Sequence, residues 1–323
     1  MNTRDSSMSA ALQGAIASKI FSKPYPLPLP LGLPFCAAVC SVSLPAGCAP
    51  PNGSMPLRVG CGVSETIETA AFLALAEAAE RHAIQYDPQR DASVKPILYA
   101  GGSADSIPFS ELALGAPSGG LVDSRGCAAG DSFSSAANRA LYELLERHHV
   151  GPRGALRGSF FVLDTDAATF LEPHIAFLSS QLRELHIAVM VSPHGYSVSR
   201  VICRDLNESR CTIGSACGAK LEDTIRRAAE EAILLWRNLV EMEARSAPIP
   251  DASTNEGVLV HIYRGVARID ASACVEKKET LPSVPALDSP IAQIVNSVTG
   301  SRVRVFNLTA PSVGVPVARA VLG

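Results

Sequence analysis

Two segments set carboxylates and cations at helical spacing. TAAFLALAEAAERHAI at 69–84 carries Glu77, Glu80, Arg81 and His82, and SSAANRALYELLERHHV at 134–150 carries Glu143, Glu146, Arg147 and His148. In a helix, residues three apart lie about 60° around the axis and residues four apart about 40°, so each Glu-x-x-Glu-Arg projects from one face. A single copy reads as a solvent-facing Glu→Arg pair worth roughly 0.3–0.5 kcal/mol. The surroundings point elsewhere: from Thr69 to Ala79 the sole charged side chain is Glu77. A helix that apolar is buried, and paired carboxylates there cost several kcal/mol unless a cation offsets them. The arrangement occurs twice, which favours a cation-binding cluster.

The ligands on offer are oxygens, which suit Mg²⁺ better than zinc; Mg²⁺ keeps waters and bridges to substrate phosphates. Arg139 and Arg227 each lie four residues before a glutamate, Glu143 and Glu231, one turn up the same face. There a guanidinium can clamp phosphate oxygens; the alternative for each is an ordinary surface arginine. His82, His148 and His149 lie beside these helices. They are either acid–base groups or, the favoured reading, packing residues at helix ends.

The carrying elements follow. A third helix, LEDTIRRAAEEAILLWRN at 221–238, repeats the layout more loosely and adds Glu231. Each helix follows a small-residue loop: Gly60-Cys61-Gly62, Gly126-Cys127-Ala128-Ala129-Gly130 and Gly214-Ser215-Ala216-Cys217-Gly218. A second echo links LGLPFCAAV at 31–39 with VGVPVARAV at 313–321, two strands entered through Gly-x-Pro. Further strands are expected at Phe160–Leu163, Ile187–Ser192, Val198–Cys203 and Val303–Leu308, and a helix from Pro290 to about Val298, capped by Ser289. Linker-like stretches at 248–257 and 277–290 are too short to separate domains. The expectation is an extended lead-in over 1–30, then one α+β (mixed α/β) catalytic domain over 31–323 with an internal pseudo-repeat.

Composition narrows the class. A chain of 323 residues, 47% hydrophobic and 18% charged, is too apolar for disorder. A net charge of -3 and 5% aromatics argue against a nucleic-acid surface. Pro24 to Pro34 is apolar but holds five prolines, too many for a membrane helix. The nine cysteines, with no C-x-x-C, read as reduced and mostly buried thiols of a cytoplasmic protein.

The order of small-residue loop, Ala-rich helix, Glu-x-x-Glu-Arg, a second such helix and then Arg227-Ala-x-x-Glu231, flanked by two Gly-x-Pro strands, resembles the YcaO family from about Leu31 to Leu322. The resemblance implies ATP and Mg²⁺ held without a Walker-type loop. Glu77, Glu80, Glu143, Glu146 and Glu231 would hold metal or nucleotide, with Arg139 and Arg227 on the phosphates. It also implies phosphorylation of a backbone amide oxygen of a ribosomal precursor peptide. No individual catalytic residue is assigned. Cys61 stands where many members have lysine, Leu73 where a polar residue would help, and His148 where many have aspartate.

Family members diverge in the nucleophile that attacks the activated amide. Azoline-forming members end in a proline-rich tail; this chain ends Arg319-Ala320-Val321-Leu322-Gly323. On that analogy thioamide formation with a TfuA-type partner is expected, or else a partner that binds the leader peptide. The alternatives are an azoline-forming cyclodehydratase subunit and a non-catalytic subunit that binds a peptide or partner. A Nudix-like reading of Arg226-Arg227-Ala228-Ala229-Glu230-Glu231 fails, because that motif needs Arg-Glu at its start. A pseudo-repeated fold with apolar edges is of a kind that often dimerises, so a homodimer is a further expectation.

Overall fold

The computed structural model describes residues 3–44, 58–90, 92–99, 105–116, 124–151, 154–206, 210–244 and 274–323. In chain order these form α1 (Thr3–Ala17), β1 (Tyr25–Pro26), β2 (Cys36–Ser41), β3 (Val59–Ser64), α2 (Ile67–Ala83), β4 (Ser93–Val94), β5 (Pro96–Tyr99), β6 (Ile107–Pro108), α3 (Phe109–Leu112), β7 (Cys127–Ala129) and α4 (Phe133–His149). Then come β8 (Phe160–Leu163), α5 (Glu172–Ser180), β9 (Arg183–Val191), β10 (Ser197–Asp205), β11 (Cys211–Gly218), α6 (Leu221–Ala244) and β12 (Cys274–Lys278). The last are α7 (Ile291–Thr299), β13 (Val303–Asn307) and β14 (Val317–Leu322). The fold is mixed α and β, as expected. The linker-like stretch at 248–257 lies outside the described residues.

The chain forms two compact units. One comprises Met1–Leu29, Phe35–Leu144 and Ile291–Gly323; the other Pro30–Pro34 and Leu145–Pro290. The first holds a three-stranded sheet, order β1-β2-β3, and a four-stranded one, order β5-β13-β14-β7, besides the small β4-β6 pair. The second holds a five-stranded sheet, order β11-β10-β9-β8-β12. α4 begins in the first unit and finishes in the second.

Residues 3–17 correct the expected extended lead-in: they are helical. Met8, Leu12 and Ala15 recur at helical spacing and are buried in the core of the first unit with Phe21 and Val42. The two Gly-x-Pro echoes do enter strands, β2 and β14. Gly32 and Gly314 adopt φ of +92° and +75°, which side chains with a Cβ rarely tolerate.

The three small-residue loops are a second correction. They are strands β3, β7 and β11, and each is an edge of its sheet. Small residues there let a helix lie directly on the strand. A Cβ at Gly60 would meet Ala74 O at 2.2 Å and Ala78 N at 2.7 Å; one at Gly214 would meet Ala228 O at 2.0 Å and Ala232 N at 2.7 Å. These contacts match at one constant sequence offset, so β3–α2 and β11–α6 are the same building block. Overpacking of this kind typically costs about 1–3 kcal/mol. Gly214→Ala should therefore lower the unfolding free energy by about that much in chemical denaturation. Gly14→Ala, on α1 with nothing within 4 Å of its added methyl, should be neutral or stabilise slightly.

Candidate functional site

In the first unit the site is built where α2 lies on β3. Thr66 caps α2, its hydroxyl accepting the Thr69 N–H at 3.3 Å. Antiparallel pairing alternates, and the Val42 N–H bonds Arg58 O, so the Cys61 N–H faces away from β2. It donates to Glu77 Oε2, while Arg81 bonds Glu77 Oε1 through Nε at 3.1 Å and pairs with it through Nη2. Both Glu77 oxygens are thus engaged, and its charge is balanced on its own helix. Glu80 is arranged differently. Its Oε1 accepts the outward Ala129 N–H of β7 at 2.7 Å. Burial pushes its pKa up to about 7, with Glu77 adding to the rise and Ala129, Arg139 and Arg81 opposing it. Arg139 is exposed and donates to Ala129 O at 3.4 Å. Glu143, half-buried, joins Glu80 in raising the Cys127 thiol, whose main shift comes from burial.

The second unit repeats the device on β11. Ser215 N–H donates to Glu231 Oε2 at 2.8 Å, sixteen residues apart like Cys61 and Glu77. The Ser215 hydroxyl donates to Glu146 Oε1 at 2.7 Å, and Arg147 pairs with the same oxygen at 3.3 Å. Burial raises Glu146 against the pull of Arg147, Ser215 and Arg227. Glu231 remains open to solvent although protein surrounds its carboxyl; burial, then Glu146, pushes its pKa up to about 7. Arg227 occupies the α6 position equivalent to Leu73 on α2. It is exposed, its charge acts on Glu146 and Glu231, and its guanidinium has no hydrogen bond or ion pair among the described residues.

The predicted side chains therefore fall into two groups. Glu77, Glu80, Arg139 and Glu143 lie in the first unit, Glu146, Arg227 and Glu231 in the second, with α4 contributing to both. Among the described residues no three His, Cys, Asp or Glu side chains form a closed metal cage. Carboxylate oxygens are of the kind that Mg²⁺ takes alongside water and phosphate. The histidines pack. His82 Nδ1 lies 3.3 Å from Ser43 O, and burial lowers its pKa. His149 bonds Arg157 O and the Tyr196 hydroxyl, each at 2.9 Å, and His148 meets its ring edge-on. Sequence reasoning missed Ser215, which ties Glu146 to Glu231, and Arg319, buried opposite Cys127; the short side chains of β11 and the VARAV run hid both.

The raised carboxylates make stability depend on pH. Glu80 and Glu231 bind a proton more readily folded, near pH 7, than at the ordinary value of 4.5. The ligand-free fold is then favoured below about pH 4.5 and loses that contribution as pH rises through about 7. Denaturation midpoints of Glu80→Gln should fall less steeply than those of the wild type across this window; equal slopes would contradict the burial argument.

The fold has counterparts. A heterocyclase in complex with substrate and cofactor superposes with a TM-score of 0.63 at 15% identity, over 97% of this chain and 52% of its own. The present chain thus spans about half the length of that protein. YcaO from Methanopyrus kandleri bound with AMPPCP and Mg²⁺ gives 0.63 at 14% identity, covering 99% and 90% of the two chains. The E. coli microcin synthetase McbBCD complex with pro-MccB17 bound gives 0.63 at 13%, covering 93% and 87%. The superpositions show a shared fold, and at these identities the fold alone. No curated protein matches the chain in sequence. The family described as YcaO cyclodehydratase, ATP- and Mg²⁺-binding, matches residues 100–322. That is more than half of the chain, and with the shared fold it means that this protein belongs to the YcaO family.

Proposed function

We propose that the chain uses ATP and Mg²⁺ to phosphorylate a backbone amide oxygen of a ribosomal precursor peptide in the cytoplasm. Residues 31–323 act as one catalytic domain, and the outcome is a thioamide made with a TfuA-type or leader-peptide-binding partner. The observation that carries the nucleotide part is the state of Glu80 and Glu231. One oxygen of each is fixed by a strand N–H, the other has no hydrogen bond, and burial lifts each carboxyl to a pKa of about 7.

These residues fit the cofactors. Glu80 and Glu143 in one unit, and Glu146 and Glu231 in the other, offer carboxylate oxygens to Mg²⁺. Arg139 and the bare Arg227 offer guanidinium forks to phosphate. Glu77, neutralised by Arg81, serves to fix β3 against α2. Bound ATP·Mg²⁺ supplies the phosphoryl group and neutralises the charge that develops during its transfer.

Sulfur chemistry points outward. The thiols beside the carboxylates, Cys61, Cys127 and Cys217, are all pushed up by burial and then by a neighbouring glutamate, Cys61 to about 12. Held protonated, none of these three is a nucleophile at neutral pH, which supports sulfur supplied from outside the chain. Cyclodehydration is the second reading, favoured by the heterocyclase and microcin synthetase whose fold this chain shares.

Two measurements test this. In titration calorimetry, Glu80→Ala and Glu231→Ala should each weaken ATP·Mg²⁺ binding at least about tenfold, the scale of losing a charged contact; unchanged affinity would contradict the site. Incubation with ATP, a candidate precursor peptide, the TfuA-type or leader-peptide-binding partner and a sulfide donor should give oxygen-to-sulfur exchange by mass spectrometry. Loss of water would select cyclodehydration, and ATP turnover with neither change would sink both.

A further inference from the structure

Arg319 is a buried cation outside the two carboxylate groups. It lies in β14 at 4% exposure, with Nε and Nη1 buried and without a hydrogen-bond partner. No ion pair to it exists among the described residues. Two guanidinium nitrogens left in this state are costly, because their hydration is lost and no hydrogen bond replaces it.

Its position is well defined. The Ala320 N–H bonds Gly126 O at 2.7 Å and the Gly130 N–H bonds Pro316 O at 3.0 Å. Arg319 and Cys127 are therefore a non-hydrogen-bonded pair between β14 and β7, the arrangement that brings side chains closest on one sheet face. The Cys127 thiol responds to three charges, those of Glu80, Arg319 and Glu143. The arginine therefore faces Cys127 on β7, two residues from the Ala129 N–H that holds Glu80, and its charge opposes those of Glu80 and Glu143 at the thiol.

We propose that Arg319 is a further phosphate-binding residue, its guanidinium taking an anionic oxygen of the nucleotide's phosphate chain when that chain arrives with Mg²⁺. The inference rests on the ATP reading above. Several donors in one plane match a phosphate oxygen pair. The metal is required as well, because Glu80 and Glu143 repel a bare anion.

The test uses the full chain with Arg319→Met and Arg319→Lys, titrated with ATP·Mg²⁺ and with pyrophosphate·Mg²⁺ and followed by thermal denaturation. Arg319→Met should lose at least tenfold affinity for both probes while its ligand-free Tm stays level or rises, since an unpaired charge has been removed. A merely structural arginine would instead lower Tm and leave affinity alone, which overturns the proposal. Should Arg319→Met fail to fold, Arg319→Lys decides: weakened pyrophosphate·Mg²⁺ binding at unchanged Tm supports the proposal, and wild-type binding overturns it. A wild type that takes pyrophosphate·Mg²⁺ but not ATP·Mg²⁺ sinks the nucleotide reading, whereas loss of pyrophosphate binding in Arg319→Met still upholds the arginine's role.

Discussion

A glutamate on a helix accepts a hydrogen bond from the outward N–H of an edge strand, and this one contact recurs at Cys61–Glu77, Ala129–Glu80 and Ser215–Glu231. It does two things at once. It satisfies a backbone donor that would otherwise leave the sheet edge open to pairing with another chain. It also orients a carboxylate without neutralising it, because a neutral amide donor stabilises the anion less than a charged partner does. Close helix–strand packing makes the contact reachable, and that packing needs Gly60 and Gly214.

The three sites then diverge through their neighbours. Glu77 has Arg81 on its own helix and becomes a structural pair. Glu80 and Glu231 have only cations at longer range, and burial lifts both carboxyls to about 7. Ionising either buried carboxyl carries an electrostatic penalty that grows with pH. Leu73 and Arg227 stand at equivalent positions of the repeated block. That exchange of an apolar for a cationic side chain is one chemical difference between the two halves, and Arg81, whose equivalent on α6 is Leu235, is another.

Much of this was legible in the sequence. The Glu-x-x-Glu-Arg spacing found α2 and α4, and the acidic pattern after Leu221 found the start of α6. What the pattern concealed was the nature of the segments before them. Gly, Ala, Ser and Cys are weak strand formers taken singly, so β3, β7 and β11 read as loops. They are strands because the sheet on one side and the helix backbone on the other hold them extended. The N-terminal helix was masked by the proline-rich stretch that follows it, although Met8, Leu12 and Ala15 carry the helical period. The pairing of Ser215 with both Glu146 and Glu231 joins residues far apart in sequence, which no local spacing reveals.

If Glu80 and Glu231 serve as ligands, both must stay partly protonated until a cation binds. Calorimetry of preformed ATP·Mg²⁺ binding, repeated in buffers of different ionisation enthalpy, counts the protons released. With both groups near pKa 7, about one proton in total should leave at pH 7 and almost none at pH 9. Binding with no proton release at pH 7, or with the same release at both pH values, would contradict it.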